Sequence, residues 1–261
     1  MTTMTETFFA ENVPELYAVQ LADVGDRFEL DGRGGFLVAS KVFSAVEHPS
    51  PNEIMHIQTK LFLTREFDSH VLSTPAGATS RHFMRKDDTV STPNGMFYIS
   101  YKSAGYRDHN GLYFTSVKLR ALNAYLDPSA EATPNDLTEE EIPPSSPENS
   151  TSFEPTVWPW LYWSEVMKLC RPGDIYYTAP GNSTPVAHKT FIARENQWDL
   201  RVSTTATELE LLTETAQTLA PYAASGDNLI LSGLSYKVKG KVFKLNSTTQ
   251  LYSVGLIYQQ L

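Results

Sequence analysis

The stretch SYKVKGKVFKL, residues 235–245, has the clearest chemical character in this sequence. Four lysines fall within eight positions: Lys237, Lys239, Lys241 and Lys244. Alternation along an extended strand sets Lys237 and Lys239 on the face opposite Tyr236, and Gly240 indicates a turn or bulge. We therefore predict a hairpin whose lysines cluster on the solvent side around its tip.

A second basic group, Arg81, Arg85 and Lys86, lies in SRHFMRKDD. Two interpretations of both groups stay open. A lysine-rich strand is commonly a solvated edge that discourages aggregation, and clusters of four or more cations also attract anionic lipid head groups, at about 1 kcal/mol per residue. Nucleic acid fits less well, because aromatic side chains are not interleaved with the basic ones. All seven residues are thus candidates for anionic-lipid binding.

Signals for catalysis or metal binding are weak. The six histidines have no metal-ligand spacing, and a single cysteine, Cys170, excludes an intramolecular disulfide. A Cys170/His188 nucleophile pair is conceivable, but lone buried cysteines are mostly packing residues. The segment DGRGG, residues 31–35, lacks the ending of a phosphate loop. We predict no catalytic residue, no metal site, no cofactor and no enzymatic activity.

The net charge of −9 is concentrated in one segment. Residues 127–155 contain eight acidic and no basic side chains, whereas residues 1–126 contain 14 acidic and 12 basic ones and residues 156–261 contain 8 and 9. The segment is also rich in Pro, Ser and Thr and poor in large apolar residues, so it cannot offset its ordering entropy by burial. It is typical of a linker between two folded halves, or of a long surface loop in one body.

The elements that would carry the basic groups are mostly strands. Alternating or β-branched runs separated by turn signals occur throughout, including LYAVQLAD at 16–23 and IMHIQTKLFLT at 54–64. The best helical spacing is in TATELELLTETAQTLAPY, which predicts a helix at about 205–220. We predict a mainly β protein with a few short helices, built as two β-sandwich domains in tandem: 1–126, the acidic linker 127–155, and 156–261.

Three pieces of sequence resemble the matrix proteins of non-segmented negative-strand RNA viruses, the pneumovirus and paramyxovirus group. LYAVQLADV is similar to the family's first strand, and FTSVKLRALNAYL occupies the place of the last strand before its linker. The series AQTLAPYAASGDNLILSG, KGKVFK and YSVGLIY follows the family's order and approximate spacing. The chain departs from the family in its longer, more acidic linker and its acidic net charge.

The resemblance implies a non-enzymatic matrix protein with a β-sandwich in each half. Such a protein would dimerise, form a lattice beneath the envelope and link membrane to nucleocapsid during assembly and budding. Its partners would be itself, anionic inner-leaflet lipids, the viral nucleocapsid and the envelope glycoprotein tail, with no sequence-specific nucleic acid. Of the basic residues, the resemblance covers only the Lys237–Lys244 stretch, through the family's KGxFK turn.

The expected location is the virion, the host cytoplasm and the cytoplasmic face of the host membrane, because no signal peptide or transmembrane segment is evident. Two alternatives remain. One is another viral structural β-protein, a jelly-roll capsid or movement protein, in which both halves would share one continuous sheet. The other is a carbohydrate-binding β-module that uses the aromatic stretch 158–163 as a sugar platform.

Overall fold

The computed structural model describes residues 4–30, 34–45, 56–66, 68–92, 95–107, 112–121, 152–153, 162–179, 182–195, 197–205 and 207–261. Strands predominate and join into one large mixed sheet, and three short α-helices accompany them among these residues. The prediction of a mainly β protein with a few short helices is confirmed.

The strands and helices repeat as four β-α-β-β-β units, which sequence reasoning did not find. Unit 1 is β1 (Met4–Val13), α1 (Glu15–Leu21), β2 (Arg27–Leu30), β3 (Gly34–Ala45) and β4 (Ile57–Arg65). Unit 2 is β5 (Asp68–Ser73), a 3₁₀ helix (Ala78–Phe83), β6 (Thr89–Thr92), β7 (Gly95–Arg107) and β8 (Leu112–Ala121). Unit 3 is β9 (Ser152–Phe153), α2 (Trp163–Leu169), β10 (Ile175–Ala179), β11 (Asn182–Pro185) with β12 (His188–Ala193), and β13 (Trp198–Ser203). Unit 4 is β14 (Glu208–Glu214), α3 (Ala216–Leu219) continued by a 3₁₀ turn (Ala220–Tyr222), β15 (Asn228–Leu231), β16 (Leu234–Asn246) and β17 (Leu251–Gln260).

Parallel strand pairing joins the units into a closed ring. The long third strand of each unit pairs with the short second strand of the next: β3 with β6, β7 with β10, β12 with β15, and β16 with β2. The first strand of each unit also pairs antiparallel with the last strand of the unit before it, so that β1 pairs with β17. The chain therefore returns to its starting point, and the four units are related by an approximate fourfold rotation.

The apolar core lies between units rather than within two separate halves. One buried cluster joins units 3 and 4, a second joins units 4 and 1, and a third joins units 1 and 2. The rings of Phe28 in unit 1 and Phe243 in unit 4 stack with centroids 4.7 Å apart. Since strands and core cross from residues 4–121 to residues 162–261, two tandem sandwich domains are not confirmed. Apart from Ser152–Phe153, the acidic linker lies outside the described residues.

Two predicted elements are wrong in type. LYAVQLAD is mainly helix α1, not a strand, and its buried side chains Ala18, Val19 and Leu21 follow helical spacing. This correction removes one of the three pieces on which the matrix resemblance depended. The predicted helix at about 205–220 is strand β14 up to Glu214, because pairing with β13 uses its alternating pattern, and the helix begins only at Ala216.

The lysine-rich stretch is not a hairpin tip. Residues 234–246 form one continuous strand, β16, which pairs with β17 along its length. A β-bulge between Val238 and Gly240 adds one residue to the alternation. Residues beyond the bulge therefore change faces, and Lys241 points inward while Lys239 stays in solvent.

Candidate functional site

Four equivalent turns, one before the second strand of each unit, meet at the centre of the ring. Each ends in an aspartate whose carboxylate accepts the backbone N–H three residues earlier. The four bonds are Asp23 to Asp26, 2.8 Å; Arg85 to Asp88, 2.7 Å; Arg171 to Asp174, 2.9 Å; and Ala224 to Asp227, 2.9 Å. Four copies of one hydrogen bond identify the turn as the structural signature of the repeat.

The residue before each aspartate has a left-handed backbone. Gly25, Gly173 and Gly226 have φ of 91°, 92° and 91°, and Asp87 takes the place of glycine in unit 2 with φ of 70°. Glycine adopts this conformation without strain, whereas a side chain there costs free energy. In units 1, 2 and 4 this residue donates its N–H to a carbonyl of the long third strand, that of Val38, Ile99 or Val238. In unit 3 it donates to Val186, between β11 and β12.

Each long strand also carries one buried lysine three residues after that carbonyl. The four are Lys41, Lys102, Lys189 and Lys241, each 3% exposed or less. They follow the turn aspartates at separations of 14 or 15 residues (26 to 41, 88 to 102, 174 to 189, 227 to 241). A valine or isoleucine precedes each lysine by three positions, and Phe43, Ala104, Phe191 or Phe243 follows it by two.

The buried lysines bind the carbonyl groups at the ends of the helices. Lys41 donates to the carbonyls of Gln20 (2.7 Å) and Ala22 (2.9 Å), and Lys102 donates to that of His82 (2.9 Å). Because the carbonyls in the last turn of a helix lack partners within the helix, a cation there satisfies them and complements the helix dipole. The lysines thus fasten each helix to its sheet.

Two of the four lysines also connect neighbouring units. Lys189 donates to carbonyls of Lys168 in its own unit and Tyr222 in unit 4. Lys241 donates to Ala223 in its own unit (2.9 Å) and to Leu21 in unit 1 (2.7 Å), and its ammonium lies 3.5 Å from the Asp26 carboxylate. Lys241 therefore helps to close the ring between its last and first units.

Burial sets the protonation behaviour of this cluster. It lowers the pKa of Lys41 to about 8 and that of Arg85 to about 9, because both lose water around their charge. The pKa values of Lys102, Lys189 and Lys241 are lowered for the same reason. Burial raises the pKa of Asp26, and the nearby ammonium of Lys241 opposes that shift.

An apolar layer lies beside the charged one. The residue five positions before each turn aspartate is large and apolar or aromatic: Leu21, Phe83, Leu169 and Tyr222. These four side chains, one from each unit, form a single cluster, with Tyr222 partly buried. Contact among the four equivalent positions locates them around the pseudo-fourfold axis.

A pocket of about 360 Å³ opens among the turns at this axis. Its lining is strongly charged and comes from all four units: Asp23, Arg85, Lys86, Asp87, Arg171, Pro172, Asp174, Ala224, Ser225, Gly226 and Asp227. The residues two positions before each turn aspartate, Val24, Lys86, Pro172 and Ser225, are the exposed tips of the turns. We call these four tips and the pocket they surround the axial mouth.

The structure separates the seven predicted basic residues into groups. Arg85 and Lys86 line the pocket, and Lys237 donates to the carbonyl of Gly226 on its wall (3.0 Å). Arg85 is paired with Asp23, whereas Lys86 is exposed. Lys239 and Lys244 are exposed on β16, and the side chain of Arg81 lies outside what the structure describes. The prediction for Lys241 is wrong, because it is wholly buried and its ammonium is occupied by protein atoms.

Sequence reasoning missed Arg171, Asp23 and the recurrence of a buried lysine at a near-constant distance after each turn aspartate. A signal for this recurrence was present. Three turns read Gly-Asp, the fourth reads Asp-Asp, and each is followed at near-constant distance by Val/Ile-x-x-Lys-x-Phe/Ala. A search for internal repeats would have aligned VASKVF, VAHKTF and VKGKVF, with ISYKSA as the most divergent copy.

The other candidate sites considered in the sequence are a cysteine nucleophile, an aromatic platform and a glycine-rich loop. Cys170 is buried and burial raises the pKa of its thiol to about 12, so it lacks the thiolate character of a nucleophile. Trp163 packs against a core cluster, whereas residues 158–161 of the aromatic stretch lie outside the described residues. Residues 31–33 of DGRGG also lie outside them.

No protein family, curated protein or solved structure matches the chain. Within the described ranges, no helix has the length and apolar character needed to cross a bilayer. In the same part of the chain, no group of three or more His, Cys, Asp or Glu side chains is arranged to hold a metal ion.

Proposed function

We propose that the protein is a non-enzymatic assembly protein of the viral matrix type, which contacts anionic lipid through the axial mouth and also associates with itself. The observation that carries this proposal is the composition of the mouth. Units 1 to 3 present Val24, Lys86 and Pro172 at exposed turn tips, and Lys237 lies on the adjacent wall. Apolar tips beside cations suit a surface that enters the head-group layer while meeting negative charge.

The edges of the sheet support self-association. Among the described residues, β1 pairs only with β17, β5 only with β4, and β14 only with β13. Strand β1 spans ten residues and exposes Met4 (63%) and Phe8 (39%). A long edge strand with exposed apolar side chains is a template for pairing with another chain. A matrix lattice needs such contacts in addition to lipid.

Flotation of the protein with vesicles tests the lipid contact. We expect co-flotation with vesicles that contain phosphatidylserine and little with phosphatidylcholine alone. The double variant Lys86→Glu/Lys237→Glu should bind the anionic vesicles at least tenfold more weakly, since each cation near an anionic surface contributes about 1 kcal/mol. Equal binding by this variant would contradict the proposal.

The matched control is Lys239→Glu/Lys244→Glu, which makes the same charge change on exposed positions of β16 away from the pocket wall. We expect less than a threefold effect. If this control loses binding while the mouth variant keeps it, the outer face of β16 is the lipid surface instead.

A second candidate is a structural β-protein of a different viral class, which assembles without membrane. The continuous sheet that joins both parts of the chain favours it, because that organisation is expected of a single-body structural protein. Sizing and electron microscopy in the absence of lipid separate the two. Regular assemblies without vesicles, together with no flotation, support the second candidate.

A further inference from the structure

The fourfold repeat is broken at one position that lines the axial pocket. The residue three positions before the turn aspartate is Asp23, Arg85, Arg171 and Ala224 in units 1 to 4. Three of these side chains are charged, and all four line the pocket. The methyl group of Ala224 is the smallest of the four side chains, so unit 4 leaves more room at the pocket than a charged side chain would.

One donor of a side chain that lines the pocket has no partner in the protein. Arg171 is 8% exposed, and one of its terminal nitrogens lies 3.2 Å from the Asp227 carboxylate. Its Nε is buried and makes no hydrogen bond. A buried donor without a partner costs about 1–3 kcal/mol, and the Nε atoms of Arg27 and Arg201 are unpaired in the same way away from the pocket.

Cations outnumber carboxylates around the pocket, which also favours an anionic ligand. Six buried or nearly buried cations surround the axis: Lys41, Lys102, Lys189, Lys241, Arg85 and Arg171. Five carboxylates oppose them: Asp23, Asp26, Asp88, Asp174 and Asp227. The exposed Lys86 and Asp87 add one charge of each sign to the pocket lining. The positive charge of Arg171 lowers the pKa of Arg85 and of all four lysines. An anion beside Arg171 would relieve this repulsion, and a metal cation would increase it.

We propose that the axial pocket is a binding site for a phosphate group, held by the guanidinium group of Arg171 with Arg85 and Lys86 on the neighbouring turn. Guanidinium groups bind phosphate through charge-assisted hydrogen bonds. At about 360 Å³ the pocket has room for more than the phosphate itself, so the ligand class is a phosphate monoester on a small polar body. The source is either a soluble phosphorylated molecule or the head group of a phosphorylated lipid.

Titration of the full chain with inorganic phosphate, followed by calorimetry and by ³¹P NMR, tests the site. We expect saturable binding at one site in the millimolar range and tighter binding of inositol phosphate. Ala224→Asp adds a carboxylate beside Arg171 at a position that already carries a charged side chain in the other three units. It should weaken phosphate binding at least tenfold.

Ser69→Asp is the matched control, because it adds the same charge at an exposed position of β5 that does not line the pocket. It should change the affinity less than threefold. Circular dichroism and the thermal midpoint establish that both variants are folded. If Ala224→Asp does not fold, Arg85→Gln replaces it, with at least a fivefold loss expected. Equal binding by the wild type and the pocket variant, or no saturable binding by the wild type, would overturn the proposal.

Vesicles that contain a phosphoinositide identify the source of the phosphate. Competition between free inositol phosphate and these vesicles supports a lipid head group in the pocket. Binding of soluble phosphates without vesicle binding supports a soluble ligand, and it leaves the site intact while the membrane proposal fails. Vesicle binding that persists in Ala224→Asp, with no binding of soluble phosphate, overturns the pocket and leaves the membrane proposal standing.

Discussion

The turns of units 1 and 2 share their hydrogen bonds and differ in their chemistry. Residues 23–26 read Asp-Val-Gly-Asp, and residues 85–88 read Arg-Lys-Asp-Asp. In both, the last aspartate caps the turn and the preceding residue is left-handed. At the first position an aspartate in unit 1 corresponds to an arginine in unit 2, and at the second a valine corresponds to a lysine. The hydrogen bonding of the turn stays the same despite these differences. The comparison separates constant positions that build the ring from variable positions that are free to bind something.

Removing a constant cation should have the largest effect. Lys241→Met leaves Asp26 buried without its ammonium and two helix-end carbonyls without a donor. We expect the free energy of unfolding to fall by about 3–5 kcal/mol, because breaking one side of a buried ion pair strands the other. Urea unfolding followed by fluorescence measures it.

Lys239→Met, two residues away on the same strand, is the control. Its side chain is exposed at the bulge, so we expect a change within about 0.5 kcal/mol. Similar losses in both variants would show that the buried lysine has no special part in closing the ring.

The pH dependence of stability tests the lysine of unit 1. Lys41 has its folded pKa lowered to about 8, against 10.5 for the free side chain. Between these values the unfolded chain binds more protons than the folded protein, so stability rises with pH. From pH 8 to pH 9.5 this lysine should contribute a gain of about 1.5 kcal/mol.

Urea unfolding at both pH values, in the wild type and in Lys41→Met, isolates this contribution. Other groups titrate in the same range, and subtracting the variant removes them. A wild-type gain no larger than that of the variant would indicate that Lys41 keeps an ordinary pKa in the folded protein.

Asp87 provides the smallest and sharpest test of what the turn requires. It is the only one of the four left-handed turn positions that is not glycine. Asp87→Gly should stabilise the protein by about 0.5–1 kcal/mol by removing backbone strain. The reverse change in unit 1, Gly25→Asp, should destabilise it by a similar amount, and thermal unfolding measures both. If Asp87→Gly instead destabilises the protein, the Asp87 side chain makes a contact that contributes more free energy than the backbone strain costs.

Local sequence patterns predicted that the protein is mainly β. They failed to predict the type of an element, or the face of a side chain, where tertiary pairing determines it. The alternation of TELELLT and its partial helical spacing coexist in one stretch, and only pairing with β13 selects the strand. The prediction that all four lysines share one face failed because of the β-bulge between Val238 and Gly240. A strict two-residue alternation does not account for the extra residue that a bulge inserts.

Only part of the candidate site could be predicted from the sequence, because tertiary structure brings its residues together. Arg85 and Lys86 were identified by charge, but Arg171 and Ala224 become meaningful only when four distant turns are superimposed. Lysines are rarely buried, so Lys41, Lys102 and Lys189 gave no reason for attention as single residues. The information was in their common spacing after each turn aspartate.

Ring closure has a consequence for how the protein reaches its native state. The hydroxyl groups of Thr7 and Tyr258 lie 2.9 Å apart across 251 positions of sequence. Strand β1 leaves the ribosome well before its partner β17, because nearly all of the described strands lie between them in the sequence. Contacts so distant in sequence form slowly, since the entropy of closing the loop is lost before any contact compensates it. During synthesis β1 therefore presents both of its edges, and we expect early release or truncation before β17 to lead to aggregation.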